Sequence, residues 1–219
     1  RSEGFDWTKI NPTIFGAIFE STLNPETRKD RGMHYTSIEN IHRVIDSLFL
    51  EELEAKFMKI ITSQDSKTKK LLDFQEELAS LTFLDPSCGS GNFLTETYLS
   101  LRRLENKIIE ELSSGQKYFA EGEFSPIRVK ISQFYGIEVN DFAVSVARTA
   151  LWIAEHQMMK ATAKLVTIHD DFIPLKSYSN ITEANAISMN WSEIIPPENL
   201  NYIMGNPPFR GARIMAQSQ

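Results

Sequence analysis

Three clusters of residues in this chain have types and spacing suited to chemistry. The first is "YIMGNPPFRGA", Tyr202 to Ala212, where an apolar run that reads as a buried strand is followed at once by Asn206, Pro207, Pro208 and Phe209. Proline stops a hydrogen-bond ladder and fixes the backbone, so a carboxamide and an aromatic ring are held rigidly at the mouth of a strand. The second is "LDPSCGSGNFL", Leu84 to Leu94, a small-residue loop joining a strand to a helix. Gly89 and Gly91 admit positive φ and let a nucleotide-like ligand meet bare backbone, with a helix N-terminus beyond. A purely structural turn is the other reading of the same loop. The third is Glu138 in "YGIEV". A carboxylate at the carboxyl end of the second strand is placed to accept both hydroxyls of a ribose. Gly91 and Glu138 lie more than twice as far apart as the ~20 residues usual in a dinucleotide-binding unit. The long helix from Asn92 and the loop "GQKYFAEGEFSP" take up the excess. The loop also lacks a third glycine in its place, which weakens a dehydrogenase reading.

These residues need strands and helices to hold them. In "TSIENIHRVIDSLFLEELEAKFMKII" the apolar positions Ile41, Val44, Ile45, Leu48 and Phe57 keep mostly to helical spacing, and Thr36 with Glu39 forms a capping-box pattern. The pattern predicts a helix from about 38 to 61. Ahead of it, "NPTIFGAIFES" suggests a shorter helix and "NPETRKDRG" a turn or short polar helix, while "TSQDSKTKK" (62–70) reads as a solvated helix end or loop. From about residue 80 strands alternate with helices. The strands are "LTFLDP", "QFYGIEV" (133–139), two candidates for the third, "KLVTI" (164–168) and "NITEANAI" (180–187), and finally "NYIMG" (201–205). One helix runs from Asn92 to about Ser114 and stops at Gly115; another covers "DFAVSVARTALWIAEHQMM", with Asp141 able to cap it. This order predicts an α/β fold with a parallel sheet, helices on both faces and ligands at the carboxyl ends of the strands.

Composition sets the bounds. The 219 residues, 42% of them apolar, suffice for a real core. A single cysteine, Cys88, excludes an internal disulfide framework or a multi-cysteine zinc site, and within the glycine loop it reads as a small packing residue. His34, His42, His156 and His169 show no ligand spacing, so no metal site is expected. A formal net charge of -6 argues against a surface that grips nucleic acid everywhere; any such contact is local or made by other parts of a longer chain. The sequence opens on Arg1 and closes at Gln219, soon after its most unusual motif, and is expected to be a piece of something longer. With no apolar run near bilayer length and no leader pattern, no membrane association and a cytoplasmic location are expected.

"DPSCGSGNF", "YGIEV" and "GNPPF", in that order on successive strand ends, resemble the amino-methyltransferases that use S-adenosylmethionine, in particular the DNA adenine methyltransferases. The longer stretches "IFGAIFESTLNPETRKDRGMHYTSIENIHRVI", "FYGIEVNDFAVSVARTALWIAEHQM" and "YIMGNPPFRGARIM" are similar to the methyltransferase region of single-chain restriction-modification enzymes of type IIG or IIL, with type I modification subunits similar but less close. The resemblance covers nearly the whole chain. It implies a Rossmann-like class I methyltransferase fold, truncated after the fourth strand, with an N-terminal helical segment. Residues 1–78 would be the end of a helical spacer with the "HYTS" cofactor motif, and 79–219 the first part of the catalytic domain. Double-stranded DNA is the implied substrate. Further strands and a target-recognition domain would follow, and an upstream nuclease domain is a further implied neighbour.

The resemblance also implies roles. Tyr35, Thr36 and Ser37 would close over the methionine end of the cofactor, although Thr36 as a helix cap accounts for one of them equally well. Asp85, Ser87, Gly89, Gly91 and Asn92 would line the methionine moiety; Glu138 would take the ribose and Val139 the adenine face. Asn185 and Ala186 would meet the cofactor adenine, with Asp171 and Phe172 as the alternative. The Asn206 side-chain oxygen and the Pro207 carbonyl would accept from the exocyclic amine of the target adenine, Pro208 would stiffen the turn, and Phe209 would stack on a base flipped out of the duplex. Arg210 and Arg213 could meet phosphates, or simply sit on the surface. Two rivals stand beside this reading: methylation of a protein glutamine or an RNA base through the same geometry, and a cofactor-binding fragment inactive alone. The isolated chain is expected to transfer methyl groups poorly.

Overall fold

The computed structural model describes residues 12–14, 36–63, 65–113, 126–166 and 180–207. The helix expected over 38–61 is continuous but not uniform. It runs as α1 (Ile38–Ile45), a π-helical turn (Asp46–Leu50) and α2 (Glu51–Ile61). Its buried stripe is Ile41, Ile45 and Phe49, then Leu50, Leu53, Phe57 and Ile60. The π turn inserts one residue into the 3.6-residue register, so the adjacent Phe49 and Leu50 both point inward. Val44 and Leu48, expected inside, are about two-fifths exposed: Leu48 lies in the shifted turn, and Val44 sits before it beside the buried Ile45. The cap is corrected too. The helix starts at Ile38, so Ser37 stands at the capping position and its hydroxyl accepts from the Asn40 amide at 3.3 Å. Thr36 lies one residue too early for that task.

Next come α3 (Lys67–Ser80), β1 (Phe83–Asp85), α4 (Asn92–Ser113), β2 (Phe134–Glu138), α5 (Asp141–Thr162), β3 (Ile181–Glu183) and β4 (Tyr202–Ile203). The α5 cap is Asn140, whose side chain accepts from the Ala143 amide at 2.9 Å; Asp141 occupies the first helical position instead. Of the two candidates for the third strand, the second pairs with β2, through Gly136 to Ile181 and Glu138 to Glu183. Lys164 to Val166 instead close the end of α5, with the Leu165 and Val166 amides on the Thr162 carbonyl. Thr167 and Ile168 lie outside the described residues.

The four strands form one parallel sheet in the order β3-β2-β1-β4. The chain steps outward from β1 to β3 and then returns to the other side of β1, so the order reverses there. Such a reversal opens a crevice at the carboxyl ends of the strands. Registered pairs put Phe134, Phe83 and Tyr202 side by side on one face. Their rings stack at 5.2 and 5.3 Å, Phe49 of the π turn leans on Phe83 at 5.1 Å, and Tyr98 of α4 meets Phe134 edge-on at 5.6 Å. Aromatic pairs of this kind add about 0.5–1.5 kcal/mol each beyond area burial, so the N-terminal helix is anchored into the same core as the sheet.

A buried polar network fixes α4 and the approach to β2. Glu105 is fully buried; one oxygen accepts from the Gln75 amide at 2.9 Å and from the Arg128 and Val129 backbone amides at 2.6 and 3.1 Å. Its other oxygen pairs with Arg102, also fully buried, which donates to the Thr162 hydroxyl of α5 at 2.8 Å. A second network joins α1 to α4. His42 contacts Asp46 at 2.8 Å and Glu96 at 3.2 Å, and Arg103 reaches Glu96 at 2.9 Å. Partial burial pushes the His42 imidazole down, but its hydrogen bonds to the Asp46 and Glu96 carboxylates outweigh that and hold it above its ordinary value.

Candidate functional site

At the carboxyl edge of the sheet, β1 ends in Asp85, only 1% exposed. Its Oδ1 accepts from the Ser87 amide at 3.0 Å, which turns the chain into the glycine loop. Burial pushes the Asp85 carboxyl up from 3.8 to about 7; the Ser87 hydrogen bond resists the shift and the nearby Glu138 charge adds to it. The folded chain therefore keeps a proton that the unfolded chain gives up near pH 4. Asp85 thus favours folding fully below that pH, and its contribution is lost as the pH rises toward about 7. On its β4 side the carboxylate lies against Gly205, where a Cβ would overlap it.

The loop is tied to β2 by two backbone donors. The Cys88 amide donates to the Ile137 carbonyl at 3.0 Å and the Gly89 amide to Glu138 Oε2 at 2.9 Å. Gly89 has φ +53, and a Cβ there would meet nothing within 4 Å. The loop thus presents bare backbone to open space. Gly91, at φ +77, is needed for another reason: a Cβ would come within 2.9 Å of the Ala147 Cβ on α5. Asn92 opens α4 and is buried, yet its Oδ1 has no hydrogen-bond partner among the described residues. Cys88 is buried, and burial followed by the charges of Asp85 and Glu138 pushes its thiol well up, as suits packing rather than attack.

Glu138 is 8% exposed and works in two directions. Oε2 receives Gly89, and Oε1 receives the Asn140 amide at 2.9 Å. Each oxygen keeps a second lone-pair direction for another donor. Beyond it, Val139 is 65% exposed. The Glu138 carbonyl receives the Ala184 amide at 2.9 Å, which brings Asn185 and Ala186 to the same edge. Asn185 Oδ1 accepts from the Ile187 amide at 3.0 Å, leaving its amide nitrogen unengaged by that turn, and the Ala186 carbonyl accepts from the Trp191 ring at 2.7 Å. Asp171 and Phe172 lie outside the described residues.

On the far side of β1, the Met204 amide donates to the Leu84 carbonyl at 2.9 Å, extending the ladder by one step before Gly205 passes Asp85. Asn206 and Pro207 follow, both exposed. The Asn206 side-chain amide donates to the Thr36 hydroxyl at 3.3 Å, across 170 residues of sequence. Tyr35, Pro208, Phe209, Arg210 and Arg213 lie outside the described residues. The fold thus joins Gly89 to Glu138 directly, ties Asp85 to Ser87 of the same loop, joins Asn206 to Thr36 directly, and sets Asp85 beside Gly205, the residue before Asn206. Sequence reading passed over Gly205, although its place immediately before Asn206 was a usable signal. Among the described residues no group of three or more His, Cys, Asp or Glu could hold a metal ion, and no helix is long and apolar enough to cross a membrane.

The model of the family described as "MmeI, DNA-methyltransferase domain" matches residues 61–219. DNA methyltransferase A of Bacillus subtilis (strain 168) is 42% identical over 216 residues, which is 96% of this chain and 23% of that protein. A putative type II restriction enzyme and methyltransferase of Methanocaldococcus jannaschii is 25% identical over 176 residues, 70% of this chain and 15% of its length. A solved structure of the type IIL restriction-modification enzyme MmeI in complex with DNA is 38% identical and superposes with a TM-score of 0.87, covering 98% of this chain and 28% of that one. The chain therefore spans about a quarter of the length of these two better-matched proteins. With a family model matched over most of its length and a Rossmann-like sheet whose order reverses at the glycine loop, this chain belongs to the MmeI DNA-methyltransferase domain family.

Proposed function

We propose that this chain binds S-adenosylmethionine along the carboxyl edge of the sheet and forms part of a site-specific DNA methyltransferase acting on the N6 amine of a flipped-out adenine, within a restriction-modification system. The observation that carries the reading is the crevice at β1: the glycine loop and Glu138 on one side, Asn206 and Pro207 on the other, with Gly205 passing against Asp85 at the end of β1. The residues present fit the cofactor. Bare backbone at Gly89 faces open space, the buried Asn92 oxygen lacks a partner, and Glu138 retains acceptor capacity for ribose hydroxyls. Bound there, the cofactor supplies a methyl group on a sulfonium, a reactive electrophile. Glu138 holds the ribose, Val139 and Asn185 border the adenine, and Asp85 faces the cationic methionine end.

The chain's own part in the transfer is to make a poor nucleophile usable. An exocyclic adenine amine has its lone pair delocalised into the ring; acceptors on its two hydrogens favour the tetrahedral nitrogen that attacks. Asn206 Oδ1 and the Pro207 carbonyl are those acceptors, and the two prolines keep them aimed. The nitrogen would gain the methyl as the sulfur–methyl bond breaks, leaving a neutral thioether, and would then give up one proton to solvent. A duplex base reaches such a pocket only by flipping. In this reading residues 1–78 end a helical spacer, 79–219 open the catalytic domain, and a nuclease and a target-recognition domain belong to the same longer enzyme.

Calorimetric titration of S-adenosylmethionine tests the cofactor half. Glu138→Ala is expected to weaken binding about 100-fold or more, because it removes charged hydrogen bonds of about 1.5–3 kcal/mol each and unlatches Gly89. Equal affinity in the variant would refute the assignment. The Asp85 carboxyl adds a pH signature. A cationic ligand beside it favours the ionised form, so affinity should rise with pH up to about 7 and then level off, with a proton released on binding at pH 6. Titration in two buffers of different ionisation enthalpy reads that proton; a pH-independent affinity from 5.5 to 8 would remove Asp85 from the contact.

A further inference from the structure

The contact between Asn206 and Thr36 bears on how the carboxamide is aimed. An asparagine side chain presents an oxygen acceptor on one side and an NH2 donor on the other, and the two are nearly the same size. Methyl transfer as proposed above needs the oxygen toward the substrate amine; the reversed amide would set donor against donor. Asn206 is exposed and β4 ends before it, so packing does not choose between the two orientations. A contact outside β4 holds the side chain: the Thr36 hydroxyl accepts from the Asn206 nitrogen at 3.3 Å, and in that arrangement Oδ1 lies on the opposite side.

We propose that Thr36 is a positioning residue for methyl transfer: its hydroxyl fixes the Asn206 carboxamide with the oxygen facing the target amine. The helix cap leaves Thr36 available for this, since Ser37 makes the capping bond to Asn40. The place of Thr36 is itself fixed. It precedes α1, which is pinned to α4 by His42 on Glu96 and to the sheet through Phe49 on Phe83. The N-terminal helix therefore acts on the reacting end of β4, and the strand core carries that position.

The inference rests on the methyl-transfer reading, and the test separates the two. In the full-length chain, single-turnover methyl transfer to an adenine-containing duplex is measured at saturating S-adenosylmethionine for the parent, Thr36→Val and Thr36→Ser, with cofactor Kd measured alongside. Valine keeps the shape and removes the hydroxyl; serine keeps the hydroxyl. We expect Thr36→Val to slow transfer about 10-fold, the value of one neutral hydrogen bond, with cofactor Kd and thermal midpoint unchanged, and Thr36→Ser to restore the rate to within about threefold. A parent-like rate in Thr36→Val overturns the inference. So does a loss confined to cofactor affinity, which would assign Thr36 to the cofactor alone. A parent that binds cofactor yet methylates no adenine overturns the methyl-transfer reading, and the inference with it.

Discussion

Asn206→Ala is expected to slow methyl transfer to adenine by about 10²–10³-fold while leaving S-adenosylmethionine affinity within about threefold of the parent. Removing one preorganised hydrogen-bonding group at the reacting atom has that scale in other enzymes. The structure isolates the effect from folding. Asn206 is exposed, the β1–β4 ladder ends at Met204, and among the described residues the hydrogen bond the side chain gives up is the one to Thr36. The cofactor contacts proposed for Gly89 and Glu138 belong to other strands, so binding and chemistry should separate cleanly. Single-turnover kinetics on the full-length chain, with calorimetry beside them, make the comparison. A rate within threefold of the parent would take Asn206 out of the reaction.

The second large effect concerns stability. Glu105→Ala should cost about 3–5 kcal/mol of unfolding free energy, because it strands the buried Arg102 guanidinium without its carboxylate. It also leaves the Arg128 and Val129 amides without their Glu105 acceptor. The paired replacement Arg102→Met with Glu105→Leu should recover only part of the loss, since it removes the lone charge but not the need of those amides. Urea denaturation read by far-UV circular dichroism gives both values. A cost below 1 kcal/mol for Glu105→Ala would show that the network contributes little. The effect matters for the site because Arg128 and Val129 lead into β2, whose far end carries Glu138.

Local pattern was enough for much of this. The helix over 38–61, the helix from Asn92 and the strands around Phe83, Phe134 and Tyr202 follow from apolar periodicity and from glycine and proline punctuation, which are properties of a few neighbouring residues. Errors arose where a neighbour in sequence competed with a neighbour in space. Leu48 has helical spacing, yet the π turn spends one extra residue to seat Phe49 on Phe83 and Tyr202, and Leu48 stays two-fifths exposed. Composition left two candidates for the third strand, and the β2 edge takes the second, Ile181 to Glu183. Thr36 with Glu39 has the capping-box pattern, but the helix starts at Ile38, so Ser37 makes the cap.

The same division holds for the site. By itself the sequence determined which residue types stand at the strand ends: a glycine loop after Asp85, an acid at 138, and an asparagine with two prolines after the last apolar run. Residue type and turn chemistry are local, so they are legible one segment at a time. Only the tertiary structure decided that Glu138 latches Gly89, that Gly205, just before Asn206, passes against the buried Asp85, and that the Asn206 amide meets Thr36 across 170 residues. Those contacts depend on strand order and register, which are set by packing over the whole core.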